Sequence, residues 1–308
     1  MSWILNNKTH AAIAAVILAN IIWGATPPIF KWSLEDISIF TLAFGRFFLA
    51  SLIFLPFVIK RDLRIEKKYW PKVFSLAFFG IFLHITFFFL GLDITTSINA
   101  PIVASAGPIF LIILSGIFLK ERTSAKKIAG VSIALLGVLL IVLLPVIGES
   151  YDQSLVGNLF FVISMFGAVF QTLILKTLEK VFEPLVLVFW SFVIAAALFF
   201  PLFLYDIFTV QPLTEIGSQG IAGIIFGGIA ASAIAYSCYY FATKYLQASD
   251  LGLFTYIDPI ITIMIAIPLL GEIPTPTYLI GAILVFLGIY IAEARIHYHH
   301  FHLFRTRY

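Results

Sequence analysis

GPIFLIILSGIFLKERTSAKKIAGVSIALLG, residues 107–137, and DPIITIMIAIPLLGEIPTPTYLIGAILVFLG, residues 258–288, are two versions of one segment. At a constant offset of 151, Pro108 meets Pro259, Glu121 meets Glu272, Gly130 meets Gly281 and Gly137 meets Gly288. Ile109, Ile112, Leu119 and Leu136 also meet identical residues, which makes 8 identities in the 30 positions from Pro108 to Gly137 without a gap. Apolar helices match by chance because they draw on few residue types. Matched Pro, Glu and Gly do not follow from apolar composition. Earlier segments match more weakly and need a gap, with FGA at 166–168 opposite WGA at 23–25.

Each copy reads as an apolar helix, a polar hinge and a second apolar helix. The rest of the chain has the same character. It is 61% hydrophobic and 11% charged over 308 residues, with a mean hydropathy of +1.05. Soluble domains carry about 25% charged residues, so the solvent here is lipid. The 33 Phe residues suit lipid-facing helices. A net charge of +3 says little about partners. The one cysteine, Cys238, excludes an intrachain disulfide and reads as a small buried hydrophobe. The first apolar segment is too long for a signal-peptide core of about 7–15 residues.

A helical span needs about 20 apolar residues. The chain offers ten: 10–31, 36–59, 70–92, 95–119, 125–146, 154–177, 184–205, 217–241, 247–270 and 275–294. The separators are short and polar, such as KRDLRIEKKYWPK and KERTSAKK. With the N-terminus in the cytoplasm, 17 of the 19 Lys and Arg fall on cytoplasmic segments, as the positive-inside rule requires. Only Lys31 falls outside, and Arg46 lies within a span. The expectation is an all-α polytopic membrane protein of ten transmembrane helices with both termini cytoplasmic. Five spans per half is an odd number, so the two copies insert in opposite senses. Residues 1–148 and 149–296 are expected to form two inverted five-helix repeats, followed by a His-rich tail at 297–308. Inverted repeats are an architecture of secondary transporters, with the substrate site near the midplane.

The segments NIIWGATPPIFK, GRFFLASLIFLP, GLDITTSINAPIVASAGPIF and LKERTSAKKIAGVSIALLGVLLI, with the second copy LGEIPTPTYLIGAILVFLG, occur in order along nearly the whole chain. In this the sequence resembles the EamA-type family of the drug/metabolite transporter superfamily. The resemblance implies a ten-helix carrier that moves small metabolites, often outward, across a bacterial or archaeal inner membrane. It also implies a central site lined by spans one, three, four, six, eight and nine. The Pro27–Pro28 pair departs from the family pattern, as does a third span whose only strongly polar residue is His84.

Polar residues inside spans usually face the bundle interior. Asn20, Trp23 and Pro27 share a helical face, as do Ser164 and Gln171, Ser232 with Tyr236, Tyr240 and Thr243, and Thr255 with Asp258 and Thr262. They read as cavity lining or as interhelical hydrogen bonds. The expected substrate-binding residues are Asn20, Trp23, Arg46, His84, Gln171, Tyr236, Tyr240, Tyr256 and Asp258. Arg46 would clamp an anionic group, or pair with Asp258. His84 and Asp258 are the candidates for proton coupling. Asp258 has no carboxylate partner in the first copy, where Gly107 stands. Glu121 and Glu272 read as helix-end or loop packing. The His-rich tail reads as unstructured chain without a metal.

There is no Walker A loop, so no ATP, no cofactor and no nucleic acid is expected. The expected partners are the lipid bilayer and a small-molecule substrate. The reading is a non-enzymatic secondary transporter that exports amino acids or related compounds by alternating access. The rivals are a uniporter or nucleotide-sugar exchanger, a membrane scaffold, and an intramembrane enzyme using His84 and Asp258 on a lipid-linked substrate.

Overall fold

The computed structural model describes residues 2–118, 125–148, 153–246, 251 and 254–293, and among these there is no strand. Glu121 and the His-rich tail lie outside the described residues. The helices are α1 (Ser2–Ser33), α2 (Ile39–Val58), α3 (Lys67–Ile94), α4 (Asn99–Ala104), α5 (Gly107–Phe118) and α6 (Ala125–Gly148). They continue as α7 (Gln153–Leu178), α8 (Pro184–Thr209), α9 (Ser218–Thr243), α10 (Ile257–Leu270) and α11 (Pro276–Glu293). Six are long and apolar enough to cross a membrane: α1, α2, α3, α7, α8 and α9. Shorter apolar helices cover 99–111, 128–141, 257–270 and 276–288. Leu52, Phe57, Ile117, Phe208, Met264 and Ile283 stand exposed on outer faces, as a bilayer permits and water does not. This is a multi-pass membrane protein.

Residues 95–119 do not form the single helix expected. The chain turns at Ser105–Ala106, between α4 and α5. Pro108 has no N–H to offer the Ala104 carbonyl, which removes a helical bond there. The Ser105 N–H and hydroxyl both donate to the Pro101 carbonyl, at 2.9 and 2.7 Å, and close the end of α4. Irregular backbone at membrane depth is tolerated where it lines a cavity, and this one does.

The Phe residues do more than face lipid. Phe47 stacks on Phe199 at 6.0 Å and meets Phe192 at 5.7 Å, while Phe44 stacks on Phe203 at 4.4 Å. These rings join α2 to α8 along its length. Asp206 of α8 accepts from the N–H groups of Phe40 and Thr41 at 2.9 and 3.2 Å. A side chain from another helix thus satisfies the first free donors of α2. At the far end Arg61 pairs with Glu183.

Helices α6 and α11 pack closely along their length. A Cβ on Gly137 would stand 2.6 Å from the Gly281 carbonyl, and one on Gly288 2.5 Å from that of Gly130. The helices run antiparallel and touch backbone to backbone, as small residues allow in lipid.

Two of the longest helices widen into π geometry, α3 at Phe78–Leu83 and α9 at Phe226–Ile234. In α1, Pro27 and Pro28 remove the N–H groups that would serve the Trp23 and Gly24 carbonyls. The Thr26 hydroxyl donates to the first at 2.6 Å, and Thr262 of α10 to the second at 2.6 Å. The proline pair thereby creates the acceptor that ties α10 to α1.

Two outcomes follow for stability in detergent micelles. Alanine favours a helix over glycine by about 0.5–1 kcal/mol, but overpacking costs about 1–3 kcal/mol. Gly288→Ala should therefore lower the unfolding temperature; an unchanged or raised value contradicts the backbone contact. Thr262→Val should cost about 1 kcal/mol, and the loss should shrink in a Pro28→Ala background, where an N–H returns. Equal losses in both backgrounds would break the link.

Candidate functional site

One cavity of about 190 Å³ sits where α1, α3, α4, α5, α7, α9 and α10 converge. Its walls follow from the local features above. The broken backbone of α4 and α5 contributes Ala100, Pro101, Ala104, Gly107 and Pro108. Leu251, Thr255 and Asp258 lead into α10 and occupy the opposite side of the repeat. Trp23, Thr26 and Pro27 come from the proline-altered turn of α1. Spans one, three, four, six, eight and nine all contribute, and α2 adds Arg46.

Of the nine residues expected from sequence, Trp23, Arg46, His84, Gln171, Tyr236 and Asp258 line this cavity. Three stand apart from it. Asn20 is buried in α1 and donates to its own Val16 carbonyl at 2.7 Å. Tyr240 is buried behind the wall, where its hydroxyl accepts from Gln171 Nε2 at 3.1 Å. Tyr256 packs beside Phe286, with ring centres 6.1 Å apart.

Each wall residue is held by its neighbours. Trp23 donates from Nε1 to the Ala231 carbonyl at 3.1 Å, inside the π segment of α9. Its ring stands edge-on to Tyr236 at 5.2 Å and tilts against Tyr239 at 5.1 Å. The Tyr239 and Thr172 hydroxyls share a hydrogen bond at 3.0 Å. His84 Nδ1 lies 2.9 Å from the Ser164 carbonyl and 2.8 Å from its hydroxyl. Donation to the carbonyl puts the imidazole proton on Nδ1, leaving Nε2 as the acceptor.

Arg46 is 2% exposed. Its Nε donates to Ser232 at 3.1 Å, and its guanidinium lies 4.8 Å from the Phe30 ring centre and 4.7 Å from that of Phe47. Aromatic faces attract such a cation. Nη1 is buried with no acceptor among the described residues. Asp258 has one buried oxygen, Oδ1, with no donor. The backbone of α1 reaches it closely, since a Cβ on Gly24 would stand 2.9 Å from the Asp258 Cα. Arg46 and Asp258 do not form the ion pair weighed from sequence: no bridge within 4.0 Å joins them.

Sequence reasoning missed Phe88, Phe161, Met165, Thr172 and Tyr239. Apolar wall residues carry no signal that separates them from core. Tyr239 and Tyr240 stand at i+3 and i+4 from Tyr236, so helical spacing alone does not choose between them; the cavity is lined by Tyr239. Among the described residues no group of three His, Cys, Asp or Glu could hold a metal.

The model of the EamA-like transporter family matches twice, over residues 10–143 and 155–293. An uncharacterized transporter of Archaeoglobus fulgidus is 32% identical over 271 residues, covering 87% of this chain and 94% of its own. An uncharacterized transporter of Bacillus subtilis, YdfC, is 26% identical over 274 residues, covering 87% and 86%. A crystal structure that is 19% identical superposes with a TM-score of 0.67 over 94% of this chain and 98% of its own, and shares the fold. The family model accounts for both halves and all the helices that build the cavity: the chain belongs to the EamA-like transporter family.

Proposed function

We propose that this protein is a secondary transporter of the plasma membrane that exports small metabolites, amino acids or related compounds, by alternating access. Its ten spans form two inverted five-helix repeats, 1–148 and 149–296, with both termini cytoplasmic. The six long helices and four shorter apolar segments support that count. The outward direction follows the resemblance drawn from the sequence.

One observation carries the reading. The cavity walls repeat at the offset of 151: Ile85 and Tyr236, Phe88 and Tyr239, Ala100 and Leu251, Ala104 and Thr255, Gly107 and Asp258 are matched pairs, and all ten residues line it. A site enclosed by two inverted copies can open to either side by the same motion.

Three further features support the inverted relation. The π segments end at Leu83 and Ile234, which are 151 apart. The glycine contacts are reciprocal: Gly130 meets Gly288 and Gly137 meets Gly281, while the repeat exchanges 130 with 281 and 137 with 288. Lys31 donates to the Leu92 and Thr95 carbonyls at the end of α3, and Lys176 to those of Thr243 and Leu246 at the end of α9. Those acceptors are again 151 apart. Lys31 also meets Glu272 at 3.8 Å, whose carboxylate accepts from Ser97 N and Oγ at 2.9 and 2.7 Å and from Ile98 N at 3.2 Å.

The cavity is smaller than the roughly 300–1,000 Å³ of drug-sized sites, which favours a small metabolite over a nucleotide sugar. His84 and Asp258 are the candidate carriers of a coupling proton at its wall.

Proteoliposomes test the reading. Purified protein should exchange labelled amino acids across the vesicle wall and concentrate them under a pH gradient. At saturating amino acid, Asp258→Asn should retain exchange and lose gradient-driven accumulation. No exchange of any amino acid or related metabolite would overturn the proposal, and full gradient-driven accumulation by Asp258→Asn would remove that residue from proton coupling.

A further inference from the structure

The two halves shape the cavity alike but do not charge it alike. Asp258 has Gly107 as its counterpart, and α8, the counterpart of α2, contains no Lys or Arg to match Arg46. The two charges therefore break the symmetry that the walls keep. A need of the moving scaffold shared by both halves would place charge in both.

Among the described residues, six side chains carry a buried polar atom with no partner: Asn20, Arg46, Thr86, Thr95, Glu179 and Asp258. Only Arg46 and Asp258 line the cavity. One is a guanidinium with an unused donor, and the other is a carboxyl with an unused acceptor. They share one chamber and do not bond to each other. A buried charge without a partner is costly, and a ligand that brings the complementary group removes that cost. Arg46 is also fixed in place by Ser232 and by the Phe30 and Phe47 rings, so little freedom is lost when a carboxylate docks. The remaining wall is largely apolar, with Phe88, Leu111, Phe161 and Met165.

We infer that the cavity selects a zwitterion with an apolar body, its carboxylate on Arg46 and its ammonium on Asp258. This deepens the transporter reading and rests on it. About 190 Å³ suits a single apolar amino acid. A ligand with only one charge would leave the other pole unanswered, and a neutral sugar would leave both.

The test uses the full chain in lipid nanodiscs and three probes of nearly the same shape: L-leucine, 4-methylpentanoate with only the carboxylate, and 3-methylbutylamine with only the ammonium. Calorimetric titration should show leucine binding at least about tenfold tighter than either, the order expected for one charged hydrogen bond. Arg46→Gln should weaken leucine by a similar factor and leave 3-methylbutylamine unchanged. Asp258→Asn should weaken leucine and leave 4-methylpentanoate unchanged. The wild-type comparison decides the matter even where a variant fails to fold. A singly charged probe that binds as tightly as leucine overturns the inference, and so does the absence of leucine binding. Protein that fails this test but still exchanges another solute in vesicles keeps its transporter role. Protein that selects leucine but exchanges nothing keeps the zwitterion site and loses that role.

Discussion

In a bilayer no water is available to complete a broken hydrogen bond, and this protein breaks several. Each proline inside a helix leaves a carbonyl that something else must serve. Pro27 and Pro28 release two carbonyls of α1, and the hydroxyls of Thr26 and Thr262 take them. Pro145 releases the Ile141 carbonyl, and Asn158 Nδ2 takes it at 3.3 Å. The π segment of α9 offers the Ala231 carbonyl, and Trp23 takes it. The polar side chains of this membrane protein are thus mostly committed to its own backbone. Where a cavity side chain keeps a polar atom without a partner, as at Arg46 Nη1 and Asp258 Oδ1, the exception points to a ligand.

That accounting explains how much was legible in advance. Ordinary backbone needs repeat in both copies, so Pro108 with Pro259, and Gly130 and Gly137 with Gly281 and Gly288, stood out in the sequence. The glycines were read as a pattern, and the structure gives the cause as direct contact between α6 and α11. The third spans share almost nothing by identity: His84, Ile85 and Phe88 stand opposite Ala235, Tyr236 and Tyr239. Their likeness lies in backbone shape, a π segment and a lysine-capped end, which many sequences satisfy. Pro108 allows either a hinge or a packing kink from sequence alone, and only the structure shows that the helix breaks, at Ser105–Ala106. Asn20 and Tyr240 follow from regular helical spacing; the cavity is lined instead by Trp23 one turn on and by Tyr239 next door, and beside Tyr256 by Thr255.

Shape and chemistry divide the work between the halves. The matched wall positions share their place at the offset of 151 but differ in chemistry: Tyr236, Tyr239, Thr255 and Asp258 correspond to Ile85, Phe88, Ala104 and Gly107. Duplication explains the paired wall positions, and Arg46 from one half and Asp258 from the other are the charges that the pairing leaves unmatched.

Alternating access requires that one chamber be reached in turn from both sides of the membrane. Ala104 lines it, is exposed within it and carries no hydrogen-bonding side chain. A single cysteine at this position, in a Cys238→Ala background, can be probed in sealed vesicles with a membrane-impermeant thiol reagent added to either face. Labelling is expected from both faces and should be suppressed by a bound amino acid. Labelling from one face alone, under every substrate and gradient condition, would contradict alternating access.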